Sequence, residues 1–373
     1  MTNEIDTRME RAKRRLQPKN DWSLQKLYHD TVDKASIKGF LSKNIWKSKA
    51  DADALYDWKY EHNPFGKTLL LVGEKTDREL VGLGIFMPWT LRRNSGVIGA
   101  CQWIDLVVSF SYRGQGIPNK VLQDGLNEFR NNNSPVCFAF PNANSVPVHN
   151  ENKGFLLGYI IRYVKPLQTG YLIKRFIKAP FLTRLVSIVA DFFLVFCSRE
   201  TWHGSSHRYA VERAFACGSD FDEFWQRFRE KFSSVIATEK TKEYLNWKYI
   251  NTPKANRQVY CAKKDGRIEG FIVLEATERL GYIIDAAAID AVVLECLISF
   301  ALKAFRQSKK DSAIFVCLEN NVFLNVFKRF GFVEREGKKH FYIYLDENMP
   351  DKEYFQDSRN WFVTIGDCDI DSM

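Results

Sequence analysis

The segment from Ser109 to Pro118 reads SFSYRGQGIP and follows an apolar run that ends at Val108. Its two glycines, Gly114 and Gly116, allow the backbone to turn tightly and to approach a ligand closely. A helix that begins after the loop points its first amides, and the positive end of its dipole, at the loop. Because Arg113 adds donors suited to phosphate, the loop predicts a diphosphate site. An ordinary surface turn built from the same residues is the alternative.

The segments on either side of this loop indicate a mixed α/β sheet. Residues 98–108 (IGACQWIDLVV) read as a buried strand, and residues 135–140 (PVCFAF) read as the next one. Between them, residues 119–132 carry apolar side chains at helical spacing, namely Val121, Leu122, Leu126 and Phe129. Strands that alternate with helical segments are typical of an α/β fold.

An internal repeat organises the chain. The sequence LYDWKY at residues 55–60 is echoed by YLNWKY at residues 244–249. Each copy is followed by a strand–turn–strand signal, at residues 69–86 and at residues 258–274. Similarity that recurs in the same order indicates a duplicated unit.

The two copies also end alike, since Asn144 and Gly154-Phe155 have the same spacing as Asn321 and Gly331-Phe332. This third coincidence favours duplication. We therefore predict an N-terminal unit (1–166), a helical connector that is apolar and basic (167–209), a second unit (210–346) and an acidic, mobile C-terminal tail (347–373).

The connector raises the question of a membrane. Residues 179–198 are nearly long enough to span a bilayer, but Arg184 and Asp191 lie within them and are costly at that depth. We expect a buried or interdomain helix. Because basic residues precede this segment, peripheral membrane contact through residues 174–198 is the alternative.

Composition narrows the class of protein. The 373 residues suffice for two domains, and the net charge of +9 suits anionic partners without selecting one. The eight cysteines form no C-x-x-C pair, so neither a zinc site nor a disulfide framework is predicted. The first twenty residues contain no apolar region typical of a signal peptide. We expect a cytoplasmic protein with no metal and no nucleic-acid partner.

The order strand, R-x-x-G-x loop, helix, strand and Asn144…Gly154-Phe155 resembles the GCN5-related N-acetyltransferase (GNAT) superfamily. The resemblance is good over residues 50–165 and holds in outline over residues 240–345. It implies an α/β fold of two tandem GNAT-like mixed-sheet domains joined by a helical connector, with acetyl-CoA or another acyl-CoA as co-substrate. The cofactor-binding residues that it implies are Leu106, Val107, Val108, Arg113, Gly114, Gln115, Gly116, Ile117 and Asn144.

The chain departs from the family pattern at two positions. Pro118 stands where the loop normally ends in Gly or Ala, and it removes one possible phosphate donor, although proline is well tolerated in a first helical turn. Asn150 stands where many members carry the tyrosine that protonates the departing thiolate. His149 is adjacent and titrates near neutrality, which makes it a candidate acid. Asp105 is the only carboxylate of its strand and is a candidate base or a structural group.

The second copy lacks the phosphate loop, because Asp285 and Asp290 stand in the matching region and would repel CoA. We therefore predict a degenerate C-terminal copy and one cofactor site. The predicted function is an acyl-CoA-dependent N-acyltransferase, acting by direct transfer to an amine of a small molecule or amino sugar. The alternatives are a Fem-like transferase that uses aminoacyl-tRNA and a noncatalytic GNAT-scaffold protein that binds CoA.

Overall fold

The computed structural model describes residues 21–46, 49–94, 96–202, 208–253 and 256–369. The strands are β1 Trp22–Tyr28, β2 Leu69–Lys75, β3 Leu80–Arg93, β4 Gly96–Val108, β5 Val136–Ala139, β6 Phe155–Pro166, β7 Ala210–Ala214, β8 Ile236–Thr238, β9 Gln258–Lys264, β10 Arg267–Ala276, β11 Leu280–Ala288, β12 Ser312–Leu318, β13 Val333–Leu345 and β14 Trp361–Phe362. The helices are α1 Lys34–Asn44, α2 Lys49–Tyr56, α3 Ile117–Asn131, α4 Val146–Glu151, α5 Gly170–Ile173, α6 Pro180–Phe196, α7 Arg199–Trp202, α8 Ser219–Lys231, α9 Lys242–Leu245, α10 Ala291–Gln307, α11 Leu324–Arg329 and α12 Lys352–Phe355. The predicted mixed α/β class is confirmed.

The chain forms two compact units. Unit 1 comprises Met1–Thr90, Ile98–Leu156 and Phe341–Lys352, and unit 2 comprises Leu91–Val97, Leu157–His340 and Glu353–Met373. In unit 1 the strand order is β1-β2-β3-β4-β5 and then the last residues of β13. β4 and β5 are parallel, and α3 connects them as the crossover helix.

Unit 2 has a sheet of similar construction. Its strand order runs from the first part of β13 through β6, β12, β11, β10 and β9 to β7. β9, β10 and β11 pair antiparallel, α10 follows, and β12 pairs parallel with β11. The same succession of a hairpin, a third strand, a crossover helix and a parallel strand occurs in unit 1. In both units the Trp-Lys-Tyr motif lies in a π-helical turn, at Asp57–Glu61 and at Asn246–Ile250.

Each unit contains one strand segment from the other half of the sequence. Residues 160–166 of β6 pair with β12 in unit 2, whereas residues 342–345 of β13 pair with β5 in unit 1. Pro166, the predicted end of the N-terminal unit, therefore lies within the sheet of unit 2.

The C-terminal segment is not a mobile tail, as far as Asp369. Trp361 and Phe362 form β14, which pairs with β8, and both side chains are buried. Thr364 and Asp367 are also buried, and they bond to each other. Their burial within unit 2 offsets the loss of chain entropy that would otherwise favour a mobile terminus.

The connector also differs from expectation. α6 covers most of the apolar segment, but it is not a buried helix, because only Thr183 among its residues is buried. Of the described helices, none is both long and apolar enough to cross a membrane.

Candidate functional site

The loop between β4 and α3 is fixed to the core of unit 1 at its first residues. The Ser109 amide donates to the Val81 carbonyl at 2.9 Å, which aligns the start of the loop with β3. Residues Phe110–Tyr112 then form a 3₁₀ turn, and Tyr112 is buried in the apolar core. The Tyr112 hydroxyl donates to Oδ2 of Asp21 at 2.9 Å. These contacts position the glycines that follow.

Both glycines of the loop have the left-handed conformation that disfavours other residues. Gly114 has φ 78° and Gly116 has φ 77°. A Cβ atom at either position would meet no protein atom within 4 Å. The glycines are therefore required by backbone conformation and not by crowding. The space above them is open to a ligand.

Gly116 is the N-cap of α3 and provides no capping side chain. The first amides of a helix have no partner within the helix, so they are available to an anion. Pro118 lies in the first turn of α3, as predicted. The equivalent helix of unit 2 is capped differently: Oδ1 of Asp290 accepts from the amides of Val292 and Val293, each at 2.9 Å. Its own carboxylate thus occupies the position that a phosphate would take.

Arg113 lies beside the open end of α3 and is exposed. Its Nε lies 3.5 Å from the Val108 carbonyl oxygen, and its guanidinium lies 5.4 Å from the centre of the Phe110 ring. Both contacts are weak, so the guanidinium can turn to a phosphate at little cost.

α3 approaches the sheet closely because β3 contains glycines beneath it. A Cβ atom on Gly84 would lie 2.2 Å from Cγ1 of Val121, which no side chain tolerates. The close approach places the N-terminus of α3 directly after the end of β4. At the same end, Asn119 bonds to Asn152 and Glu151, which joins α3 to the C-terminal end of α4.

β4 separates from β5 before it reaches the loop. The parallel pairing covers three residue pairs, Ala100–Gln102 with Val136–Phe138, whereas β4 continues to Val108. Asp105 interrupts the strand with φ 46°. Beyond it, Leu106 and Val108 are half-buried and Val107 is buried. The backbone of these residues lies beyond the part of β4 that pairs with β5.

Asp105 is held by two groups of the Trp-Lys-Tyr motif. Its Oδ2 accepts from the Tyr60 hydroxyl at 2.6 Å and lies 2.8 Å from Nζ of Lys59. The Lys59 side chain is 3 % exposed and that of Asp105 9 %. These contacts fix the position of the carboxylate.

Asp285 of unit 2 lies in β11 and makes the contact that Asp105 makes in unit 1, whereas we expected it in the region that matches the phosphate loop. It accepts from Tyr249 at 2.7 Å and is paired with the fully buried Lys240. Burial lowers the pKa of Lys240, but Asp285 and Asp367 outweigh this effect and raise it above its ordinary value. The negative charge of Asp285 is therefore neutralised inside the core.

His149 and Asn150 of α4 face two tyrosines of β13. Nδ1 of His149 lies 3.0 Å from the Tyr344 hydroxyl, and its buried ring lies 4.9 Å from the ring of Tyr342 and 4.8 Å from that of Trp103. The Tyr342 hydroxyl donates to Oδ1 of Asn150 at 2.6 Å. Burial raises the pKa of Tyr344. Asn150 is thus in contact with a tyrosine from another element, β13.

The sequence did not identify Tyr342 or Tyr344 as candidates. The alternation in Phe341–Leu345 places the two tyrosines on one face of a strand, but only the pairing of β13 with β5 brings that face to α4. Of the other predicted cofactor residues, Gln115 is half-buried and Ile117 is buried. Asn144 is exposed ahead of α4, and its amide donates to Oδ1 of Asn142 at 3.0 Å.

Comparison with known proteins identifies the fold. No family model and no curated protein matches the chain. A GCN5-related N-acetyltransferase from Anabaena variabilis has a TM-score of 0.62 at 11 % identity, covering 86 % of this chain and 73 % of that one. A GCN5-related N-acetyltransferase from Kribbella flavida has a TM-score of 0.59 at 13 % identity, covering 87 % of this chain and 71 % of that one. Saccharomyces cerevisiae N-myristoyltransferase with bound myristoyl-CoA has 0.56 at 13 % identity, covering 88 % and 79 %.

Identities this low establish the fold alone. The chain has the GNAT fold. Both N-acetyltransferases and N-myristoyltransferases are among its structural neighbours.

Proposed function

We propose that this protein is an acyl-CoA-dependent N-acyltransferase that transfers an acetyl group directly to the amine of a small molecule or amino sugar. The observation that carries the proposal is the open N-terminus of α3. It is capped by Gly116, flanked by Arg113 and preceded by the separated end of β4. The proposal applies to unit 1, because Asp290 caps the equivalent helix of unit 2.

The residues of unit 1 fit CoA in two parts. The amides from Gly114 to Ile117 would hold the pyrophosphate, and Arg113 would add charge. The backbone from Leu106 to Val108 would bond to the pantetheine arm, and Asn144 lies on the segment that completes the site by resemblance. Bound in this way, CoA would present its thioester next to β4.

Transfer requires a proton to reach the sulfur as it leaves. The amine nitrogen bonds to the thioester carbon, the C–S bond breaks, and CoA departs as a thiolate. We assign the proton donor to Tyr342, whose hydroxyl lies 2.6 Å from Oδ1 of Asn150. Asn150 would then orient the Tyr342 hydroxyl, although it stands where many GNAT proteins carry the donor itself. His149 becomes a positioning residue, because its ring packs against Tyr342 and bonds to Tyr344.

The attacking amine must be neutral, and Asp105 is our candidate for the group that takes its proton, directly or through water. Its Oδ2 lies 2.8 Å from Nζ of Lys59, and this ion pair holds the carboxylate in place. The matching pair of Tyr249 and Asp285 in unit 2 favours a structural role for the same contact.

A transfer assay tests the function. The purified chain is mixed with acetyl-CoA and a panel of amino sugars, amino acids and polyamines, and both free CoA thiol and the acetylated amine are measured. We expect thiol release and a mass increase of one acetyl group on an acceptor. Acyl transfer from myristoyl-CoA alone would replace the acetyl assignment with a long-chain one. Binding of CoA without transfer would leave the noncatalytic alternative, and transfer from aminoacyl-tRNA alone would favour the Fem-like one.

A further inference from the structure

The polar side of α6 faces the protein and its apolar side faces outward, which is the reverse of a typical surface helix in a water-soluble protein. Its polar residues Thr183, Ser187 and Asp191 recur at intervals of four and face the protein. Its large apolar residues face outward, with exposed fractions between 37 % and 77 %. They are Phe181, Leu182, Leu185, Val186, Ile188, Val189, Phe192, Phe193, Val195 and Phe196.

One residue of the polar stripe bonds α6 to the segment that precedes it. Oδ1 of Asp191 accepts from the amide and the hydroxyl of Thr169, at 2.6 and 2.7 Å. The other two hydroxyls bond locally: Thr183 donates to the carbonyl of Ile177 at 2.8 Å, and Ser187 donates to the carbonyl of Thr183 at 2.6 Å, within α6. The contact between Asp191 and Thr169 holds the polar stripe inward, and the apolar side chains lie on the outward face.

An exposed apolar surface of this extent marks an interaction site. Because large apolar side chains occupy the outward face of α6, the surroundings that fit them are an apolar medium. α6 is too short and interrupted to cross a bilayer. A helix of this kind lies in the plane of a membrane surface.

A cavity of about 710 Å³ lies beside α6 and adds charge to this surface. Lys174, Lys178 and Arg184 are among its lining residues, together with Gln168 and Ser187. The carboxylate of Asp191 is the one acidic group lining it, and it is engaged with Thr169. Cations next to an apolar helix complement the phosphate of an anionic lipid.

We propose that α6 binds the surface of a membrane that contains anionic phospholipid, with its apolar side chains among the acyl chains and a lipid phosphate in the neighbouring cavity. The proposal does not depend on the enzymatic function. It requires only the exposed residues of α6 and the three cations of the cavity.

Flotation of the full chain with vesicles tests the proposal. One set of vesicles contains phosphatidylcholine and phosphatidylserine, and the other contains phosphatidylcholine alone. We expect the wild-type chain to float with the first set, and the double substitution Phe192→Asp with Phe196→Asp to weaken binding by about tenfold or more. Lys174→Glu with Lys178→Glu should weaken binding to the anionic vesicles only.

Phe215→Asp is the matched control, because Phe215 is 73 % exposed elsewhere in unit 2. It should float like the wild type. Flotation that is equal for the wild type and the Phe192/Phe196 variant would overturn the proposal, as would absence of the wild type from both vesicle fractions. A dimer in light scattering that dissociates on Phe192→Asp, without vesicle binding, would show instead that two copies of the chain cover this face.

Discussion

The hydroxyl of Tyr60 donates to Oδ2 of Asp105 at 2.6 Å, and in unit 2 the hydroxyl of Tyr249 donates to Oδ2 of Asp285 at 2.7 Å. Both tyrosines end a Trp-Lys-Tyr motif in a π-helical turn. Both acids also lie where a strand is irregular. Asp105 has a positive φ, and the register between β10 and β11 shifts next to Asp285. Because both units contain this contact, it supports the fold in each of them. The open N-terminus of the helix, in contrast, is specific to unit 1, since Asp290 caps the equivalent helix of unit 2.

Replacement of Asp105 by Asn tests both roles of this residue. The change removes the carboxylate charge 2.8 Å from Nζ of the buried Lys59, so unfolding should become easier by about 3–5 kcal/mol. If Asp105 also acts as the base, kcat/KM should fall about 100-fold and the acidic limb of its pH profile should change. Thermal unfolding and the pH–rate profile measure the two effects separately.

The control is Asp285→Asn, which removes one of the two carboxylates paired with Lys240 in unit 2, Asp367 being the other. It should lower stability without changing the shape of the pH profile. A pH profile that is the same in the wild type, Asp105→Asn and Asp285→Asn would remove Asp105 from the chemistry and leave it a structural group.

Tyr342→Phe should lower kcat by about 100-fold while KM for acyl-CoA stays near the wild-type value. The change removes the proposed proton donor but keeps the ring that packs against His149. Steady-state kinetics with acetyl-CoA measure it. Tyr344→Phe is the matched control on the same strand, and it should lower stability because it breaks the bond to His149. Loss of kcat by Tyr344→Phe and not by Tyr342→Phe would contradict the assignment.

Glu200 should make unit 2 sensitive to acid. Its carboxylate lies 3.0 Å from Nζ of Lys165 and 2.9 Å from the Arg306 guanidinium. Burial raises the pKa of Glu200, but these cations outweigh it and hold the pKa below the ordinary value of 4.5. A lowered pKa contributes stability that is present above pH 4.5 and lost as the pH falls through the folded-state pKa.

The substitution Glu200→Gln checks this expectation. It should lower the melting temperature at neutral pH, by loss of about 3 kcal/mol from the broken buried pair. It should also reduce the further fall in melting temperature below pH 4.5. An acid response equal to that of the wild type would show that other carboxylates determine it.

The local features of the fold could be predicted from the sequence, because they depend on neighbouring residues. The apolar strand before Val108, the helix from Val121 to Phe129 and the two strands within residues 258–274 all lie where the patterns placed them. The conformation of Gly114 and Gly116 also follows from residue type, since few other residues adopt a positive φ.

What the sequence could not predict depends on contacts between distant residues. The bond from Tyr342 to Asn150 joins residues that are 192 positions apart, and only the pairing of β13 with β5 creates it. The apolar composition of α6 led us to expect a buried or interdomain helix, because apolar residues usually face the protein. The polar stripe of Thr183, Ser187 and Asp191 was the available signal, and it faces inward.

Calorimetric titration with acetyl-CoA tests whether the CoA site lies at the N-terminus of α3. It compares the wild type, Gly116→Asp and Gly266→Asp. Gly266 has φ 78° and open surroundings like Gly116, but it lies in the turn between β9 and β10. The two substitutions therefore carry a similar backbone cost. We predict that the wild type and Gly266→Asp bind equally and that Gly116→Asp loses at least tenfold in affinity, because its carboxylate repels the pyrophosphate. Equal binding by all three proteins, or no binding by the wild type, would contradict the assignment of the CoA site to the N-terminus of α3.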